Sequence, residues 1–334
     1  MKAIVYTGHP ASTANMLPDI VKRWKEGLES IPDIESYKLY DSYRVSSKQI
    51  ADSIEDEEVL IGYYVDETIN EEFFKAHPSV KYIASLAMGY GAYDREAVKR
   101  HNVTLTTTVY GAMTIAQFTF ALLLDICHNI RETSDFTKKA PDSVISSGFM
   151  FNPICPQIEL YGKTIGIIGL GNVGVWVARM AKGFGMKVIA HSRHIKTGSE
   201  YEGIEQVSLD ELLSRSDVIS LNCSSNSSTY HLVNKDSISK MKDGVIILNP
   251  SRADLVNEDD LAEALNTKKV YAAGLDATTA DNEHKHIKLM DCQNAIITPH
   301  IAYAPHDAQL RLVDVAIENL KSWINGEPAS TLPV

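Results

Sequence analysis

The segment Lys163-Thr-Ile-Gly-Ile-Ile-Gly-Leu-Gly-Asn-Val-Gly174 constrains this chain more than any other stretch. A β-rich run, Thr164 to Ile168, leads straight into Gly169-x-Gly171-x-x-Gly174. A helix-like segment, Val175 to Phe184, and another apolar strand, Lys187 to Ala190, follow. Strand, glycine turn, helix and strand in that order make a dinucleotide-binding βαβ unit. Gly169 allows the tight turn, Gly171 lets the backbone approach a pyrophosphate, and Gly174 lets helix and strand pack closely. Asn172 and Val173 belong to the same turn, where the helix N-terminus offers N–H groups and positive dipole to phosphates. Glycine-rich turns are common, so it is the surrounding order of elements that gives the motif its weight.

A length of 334 residues predicts two domains. The strands Ala3–Tyr6, Val59–Tyr64, Val80–Leu86 and Val103–Thr107 alternate with helical patterns near Ile20–Leu28, Glu71–Ala76 and Arg95–His101. That alternation implies a parallel sheet covered on both faces. A second series begins at Thr164, with strands Ile165–Ile168, Val188–Ala190, Val218–Leu221, Val245–Leu248, Ala272–Leu275 and Ala295–Ile297. The fold class expected is therefore α/β, with two doubly wound parallel-sheet domains and the glycine motif in the second. Between the series, Thr114 to Arg131 is apolar on nearly every side and reads as one buried helix. It serves equally as a domain bridge, a subunit interface or a core helix. The helix Ala308 to Ile324 follows the last strand and is expected to return to the first domain.

Hydrophobic residues make up 44% and charged residues 22%, and the formal net charge is −11. Such acidity argues against nucleic acid or an anionic membrane as a partner. Cys127, Cys155, Cys223 and Cys292 are widely spaced without a zinc or CxxC pattern, which fits a reducing cytoplasm. The N-terminus reads as a first strand and not as a signal peptide. The mainly apolar run Phe118 to Leu124 is too short to span a bilayer.

Three strand ends carry groups suited to chemistry: Leu248-Asn-Pro-Ser-Arg252, Gly274-Leu-Asp276-Ala-Thr-Thr-Ala-Asp281 and Ile297-Thr-Pro-His300-Ile-Ala302. In open α/β sheets, ligands bind beyond the carboxyl ends of strands, so an arginine, a carboxylate and a histidine are expected near the nucleotide. With these motifs the chain resembles the D-isomer-specific 2-hydroxyacid dehydrogenases over nearly its full length. It is most similar to their glycerate dehydrogenase (hydroxypyruvate reductase) branch. Ala116–Leu124, Ile158–Gly169 and Ile296–Ala302 carry the similarity.

The resemblance implies a Rossmann nucleotide-binding domain at 110–302 and a flavodoxin-like substrate domain formed by 1–109 and 303–334. It implies reduction of a small 2-oxo acid to the D-2-hydroxy acid in a cleft between the domains, and a homodimer. Arg252 would grip the substrate carboxylate, and His300 would act as general acid in reduction. Asp276 would lie near the nicotinamide carboxamide or cap the strand end. Cys223, just past the strand Val218–Leu221, joins the cofactor-binding set, and Met88 and Gly89 match the substrate loop. The family's glutamate partner of the histidine falls on Asp281, one methylene shorter, with Glu283 as a second candidate and a solvated loop acid as the plain alternative. Arg252 is followed by Ala253 in place of the usual glycine, and Ser224 replaces a usual proline.

NAD-specific sites of this kind end the second strand on an acid that holds the ribose 2′-OH. Here the position falls on Ser192, within His191-Ser192-Arg193-His194, which holds no acid. A hydroxyl and a guanidinium suit a 2′-phosphate, so NADP(H) is expected over NAD(H); Arg193 is otherwise suited to stack on adenine or to stand as a solvated charge. No metal is expected, although His284 and His286 are spaced as possible ligands. The rival readings are an NAD(P)H-sensing regulator resembling the corepressor relatives of this family, and an enzyme oxidising formate or phosphite on the same scaffold.

Overall fold

A computed structural model describes residues 1–8, 17–42, 45–64, 69–87, 93–143, 156–280 and 285–329. The chain divides into two compact units, Met1–Gly111 with Tyr303–Val334, and Ala112–Ala302.

The first unit holds β1 (Lys2–Tyr6), β2 (Ser36–Tyr40), β3 (Val59–Gly62), β4 (Tyr82–Ser85) and β5 (Thr104–Thr107), ordered β2-β1-β3-β4-β5. Every pairing is parallel. This is the flavodoxin-like order. Successive side chains enter opposite cores, as the two-residue period of a strand requires. Ile4, Leu60, Ile83 and Leu105 join Phe73, Phe74 and Val98 on one face. Val5, Val59, Ile61 and Ala84 meet Ile20, Trp24 and Leu28 on the other. The helix Leu17–Glu29 presents those last three residues at four-residue intervals.

The helix His306–Ile324 completes this second face through Leu312, Val313 and Ile317. A Cβ on Gly27 would come within 2.7 Å of Ile317, so the two helices meet where no side chain intervenes. Arg23 and Asp314 bind each other at 2.7 and 3.0 Å beside that contact.

The second unit holds β6 (Thr164–Ile168), β7 (Lys187–His191), β8 (Glu205–Gln206), β9 (Val218–Leu221), β10 (Val245–Asn249), β11 (Val270–Leu275) and β12 (Ala295–Ile297). Their order is β12-β11-β10-β9-β6-β7-β8. The chain builds outward from β6 to β8, then returns to β9 on the other side of β6. That reversal is a topological switch point, where open α/β sheets receive ligands. Two strands escape the sequence reading. Both β2 and β8 are edge strands, and β8 is only Glu-Gln, too short and polar to give an apolar signal.

The apolar stretch after Thr114 also differs from expectation. Its helix runs Ala112–His128 and stops at Asn129, whose φ of +45° breaks the helical path. A separate helix, Ile130–Lys139, then buries no residue. The first of the two packs closely on the sheet: a Cβ on Gly274 would lie 3.0 Å from the Leu122 side chain. No single helix among the described residues is long and apolar enough to cross a membrane.

Candidate cofactor and active site

The glycine turn sits at the switch point, and its three glycines meet different demands. Gly169 has φ +98°, and a Cβ there would lie 2.6 Å from backbone atoms of Asn222 and Cys223. Only glycine lets the end of β6 pass so close to the end of β9. A Cβ on Gly174 would collide with the carbonyl oxygen of Gly169, so this position fixes how tightly helix Asn172–Gly183 closes on the turn. Gly171, by contrast, faces nothing within 4 Å among the described residues. It is the N-cap of that helix, no side chain caps it, and the first turn carries no acid. The helix end is therefore a set of N–H donors and positive dipole beside open space, which fits a pyrophosphate.

The strand ends beside this turn carry the other residues in a fixed row. Following the sheet order from β7 to β12, they are Ser192 and Arg193, the glycine turn, Cys223, Arg252, Asp276 and His300. Adjacent strands lie about 4.8 Å apart, so the row extends over roughly 24 Å. A ligand laid along it would meet different chemistry at each end.

At the β7 end, the Ser192 hydroxyl donates to the His194 carbonyl at 2.7 Å, and Arg193 is exposed. The Gln206 side chain holds the loop down: its Oε1 accepts from Lys196 N at 2.8 Å, and its Nε2 donates to Lys196 O at 2.7 Å. Burial pushes the Cys223 thiol above its ordinary value, opposed by its own backbone amide and by the Arg193 guanidinium. Asn222, which the sequence reading passed over, donates from Nδ2 to the Ser220 carbonyl at 3.1 Å. That bond fixes its amide orientation and leaves its buried Oδ1 without a partner among the described residues. An orphaned acceptor beside Gly169 suits a hydroxyl or amide donor of a bound dinucleotide.

At the other end, Asp276 is 0% exposed. Its Oδ1 accepts from the Thr298 hydroxyl at 2.6 Å and Ile301 N at 2.9 Å, and its Oδ2 accepts from Ala302 N at 2.8 Å. Burial pushes this carboxyl above the ordinary range, opposed by those three donors and by the charge of His300. These bonds bracket His300, which is half-buried with φ +54°. A left-handed histidine costs on the order of 1 kcal/mol and persists only where its surroundings hold it. Here the clamp of Asp276 on both flanks supplies the hold. The carboxylate expected near a nicotinamide carboxamide is thus already bound to the loop that carries the histidine.

Arg252 is exposed, and its Nη1 donates to the Ser251 carbonyl at 2.7 Å. Its loop hangs from Asn249, a second polar residue missed in the sequence, where it appears only as the polar end of an apolar strand. Asp281 and Glu283, the candidate partners of His300, lie outside the described residues, as do Met88, Gly89 and His284. His286 is bound to Asp291 at 3.1 Å.

A seven-stranded parallel sheet, a glycine turn at its switch point, and arginine and histidine at the ends of β10 and β12 define a dinucleotide-dependent α/β oxidoreductase. The model of the D-isomer specific 2-hydroxyacid dehydrogenase NAD binding domain matches residues 120–302. A hydroxypyruvate reductase from Blautia hydrogenotrophica is 35% identical over 335 residues, which cover 99% of each chain. A glyoxylate reductase from Korarchaeum cryptofilum is 31% identical over 306 residues, covering 91% of each. The structure of a D-lactate dehydrogenase from Aquifex aeolicus, complexed with NAD and lactic acid, matches with a TM-score of 0.77 at 27% identity, covering 98% of this chain and 96% of that one. The chain belongs to the D-isomer-specific 2-hydroxyacid dehydrogenase family, and its second unit is the nicotinamide dinucleotide-binding domain.

Proposed function

We propose that this protein reduces a small 2-oxo acid, of the hydroxypyruvate or glyoxylate kind, to the D-2-hydroxy acid. The observation that carries the reading is the row of strand ends, where a clamped histidine and an exposed arginine share one sheet edge with the dinucleotide turn. The names of the two relatives support the same substrate class.

When bound, the nicotinamide supplies the hydride that reaches C2 of the substrate. Arg252 holds the substrate carboxylate through two parallel N–H···O bonds, for which a planar guanidinium is suited. Protonated His300 gives its proton to the oxygen on C2 as negative charge develops there. The 2-oxo acid thereby gains one hydride and one proton. Asp281, which falls on the family's glutamate position by its spacing from Asp276, is proposed to orient the histidine with a shorter reach than glutamate, Glu283 being the second candidate.

The preferred cofactor is proposed to be NADP(H). No acid stands at Ser192–His194 to repel a 2′-phosphate, and Arg193 is exposed beside it. The Ser192 hydroxyl can rotate from the His194 carbonyl to donate to a phosphate oxygen. A homodimer is proposed as well. The large apolar residues that the second unit exposes, Met113, Ile130, Phe136, Tyr161 and Phe184 among them, are proposed to contribute to its interface.

The test is nicotinamide absorbance with NADPH and NADH in parallel against hydroxypyruvate, glyoxylate, pyruvate and bulkier 2-oxo acids. Turnover that is faster with NADPH and lost in His300→Ala and Arg252→Ala is expected. Ser192→Asp with Arg193→Ala should shift the preference toward NADH. Cofactor binding without turnover across the panel would overturn the catalytic reading in favour of a sensor. Sedimentation of the purified protein as a monomer would overturn the dimer.

A further inference from the structure

Two reactive groups that follow β10 and β12, with β11 between them, must keep a fixed separation if they act on one small substrate. Asn249, the last residue of β10, is 0% exposed. Its Oδ1 accepts from the amides of Ser251 at 3.1 Å and Arg252 at 3.3 Å. Its Nδ2 donates to the Arg252 carbonyl at 2.7 Å. One side chain thus binds both main-chain polar groups of the arginine. Its own carbonyl accepts from Asp276 N at 3.0 Å. Asp276 in turn grips both flanks of His300. A second support reaches the same loop from β9, where the Ser251 hydroxyl donates to the Leu221 carbonyl at 2.7 Å.

We propose that Asn249 is the positioning residue for Arg252: its amide sets where the guanidinium stands relative to the His300 turn, and so governs capture of the substrate carboxylate. This rests on the reading of Arg252 as the carboxylate-binding group. The physical basis is the arginine's own backbone. A long side chain on a loop reaches one productive geometry only if its Cα is held, and small misplacements of a binding group cost large factors in rate. The amide is suited to the task because it offers an acceptor and a donor from one planar group, whereas a carboxylate offers acceptors alone. Asn249 touches no substrate in this scheme; it acts through Arg252.

The experiment compares Asn249→Ala, Asn249→Asp and Arg252→Ala in the full chain. Steady-state reduction of hydroxypyruvate and glyoxylate, cofactor affinity by nicotinamide fluorescence, and amide hydrogen exchange at Ser251 and Arg252 are measured together. Asn249→Ala should speed exchange at both amides and raise KM for the 2-oxo acid at least tenfold. Cofactor affinity should stay at the parental value, and kcat should change less than threefold. Asn249→Asp keeps an acceptor for both amides, so it should retain their protection and part of the parental KM. A merely structural asparagine would instead lower the amount of active protein and leave KM unchanged. Parental exchange at the two amides in Asn249→Ala would overturn the proposal. So would an unaltered KM in Asn249→Ala alongside a raised KM in Arg252→Ala. If Arg252→Ala itself leaves KM unchanged, or no variant or parent turns over either acid, the reading of Arg252 falls first and the proposal with it.

Discussion

Alanine placed separately at Gly169 and Gly171 should produce opposite defects, and the size of each follows from what surrounds the position. At Gly169 the added Cβ meets three backbone atoms of Asn222 and Cys223 at 2.6 Å, with φ at +98°. Backbone at the end of a central strand cannot move aside as a flexible side chain would. Left-handed backbone costs an L-residue roughly 1–2 kcal/mol, and overpacking adds about 1–3 kcal/mol. The unit should lose about 2–5 kcal/mol. A domain of this size shifts in Tm by roughly 2–4 °C per kcal/mol, so a fall of about 4–20 °C is expected.

At Gly171 the Cβ meets nothing within 4 Å, and φ is −93°, open to any residue. Alanine is a poorer N-cap than glycine, by up to about 1 kcal/mol. The unfolded chain, however, loses a comparable conformational freedom, which stabilises by about 0.4–1 kcal/mol. These offset, so stability should stay within about 0.5 kcal/mol of the parent. The methyl instead occupies the space beside the uncapped helix end. Cofactor affinity should fall at least tenfold, about 1.4 kcal/mol. Calorimetry and fluorescence titration of NADPH and NADH separate the two effects. A Gly169→Ala protein that melts with the parent, or a Gly171→Ala protein that binds cofactor as the parent does, would refute the division of roles.

Two further outcomes follow from buried charge. Asp276→Leu removes the acceptor of the Thr298 hydroxyl and of the amides of Ile301 and Ala302, of which only Ala302 is buried. At about 1–3 kcal/mol for an unsatisfied buried group, denaturant unfolding should register a loss of at least about 1 kcal/mol, and turnover should drop with it. Undiminished stability would mean that the clamp on His300 is dispensable. In the first unit, Glu57 is 3% exposed and bound to Lys38 at 2.8 Å. Burial alone would raise its carboxyl, but the Lys38 ammonium and the backbone amides around it hold it below the ordinary 4.5. A carboxyl lowered on folding stabilises above its unfolded pKa, and that stability fades as pH falls through the folded value. Lys38→Met should therefore move acid unfolding to higher pH, read by circular dichroism; an unmoved midpoint would remove the pair from the acid limb.

Legibility in the sequence followed the reach of each interaction. β6 and β10 announce themselves as Thr-Ile-Gly-Ile-Ile and Val-Ile-Ile-Leu, because strands buried on both faces need apolar residues at every position. The edge strands β2 and β8 carry no such signature, since half of each faces solvent and pairing comes from a neighbour distant in the chain. The helix after Thr114 was visible as an apolar run, but its end at Asn129 was not, because asparagine in an apolar context marks no boundary until its φ is known. Arg252 and His300 stood out as reactive types at strand ends. Asn249 and Gln206 did not, because a polar residue at a strand end or edge is unremarkable until its partners are known.

The sequence by itself determined the α/β class, the dinucleotide turn and the family, because each is written as a series of short local patterns that can be read without knowing which distant residues meet. Only the tertiary structure decided what the polar residues do. Asp276 meets partners 22 to 26 positions away. Gly169 is excluded from becoming alanine by a backbone more than fifty positions on. Gly171 and Gly169 are the same residue two positions apart, and one is held by packing while the other stands open to a ligand. Spacing along a chain encodes local conformation; which buried donor meets which acceptor depends on strand order, and strand order is settled only when the sheet assembles.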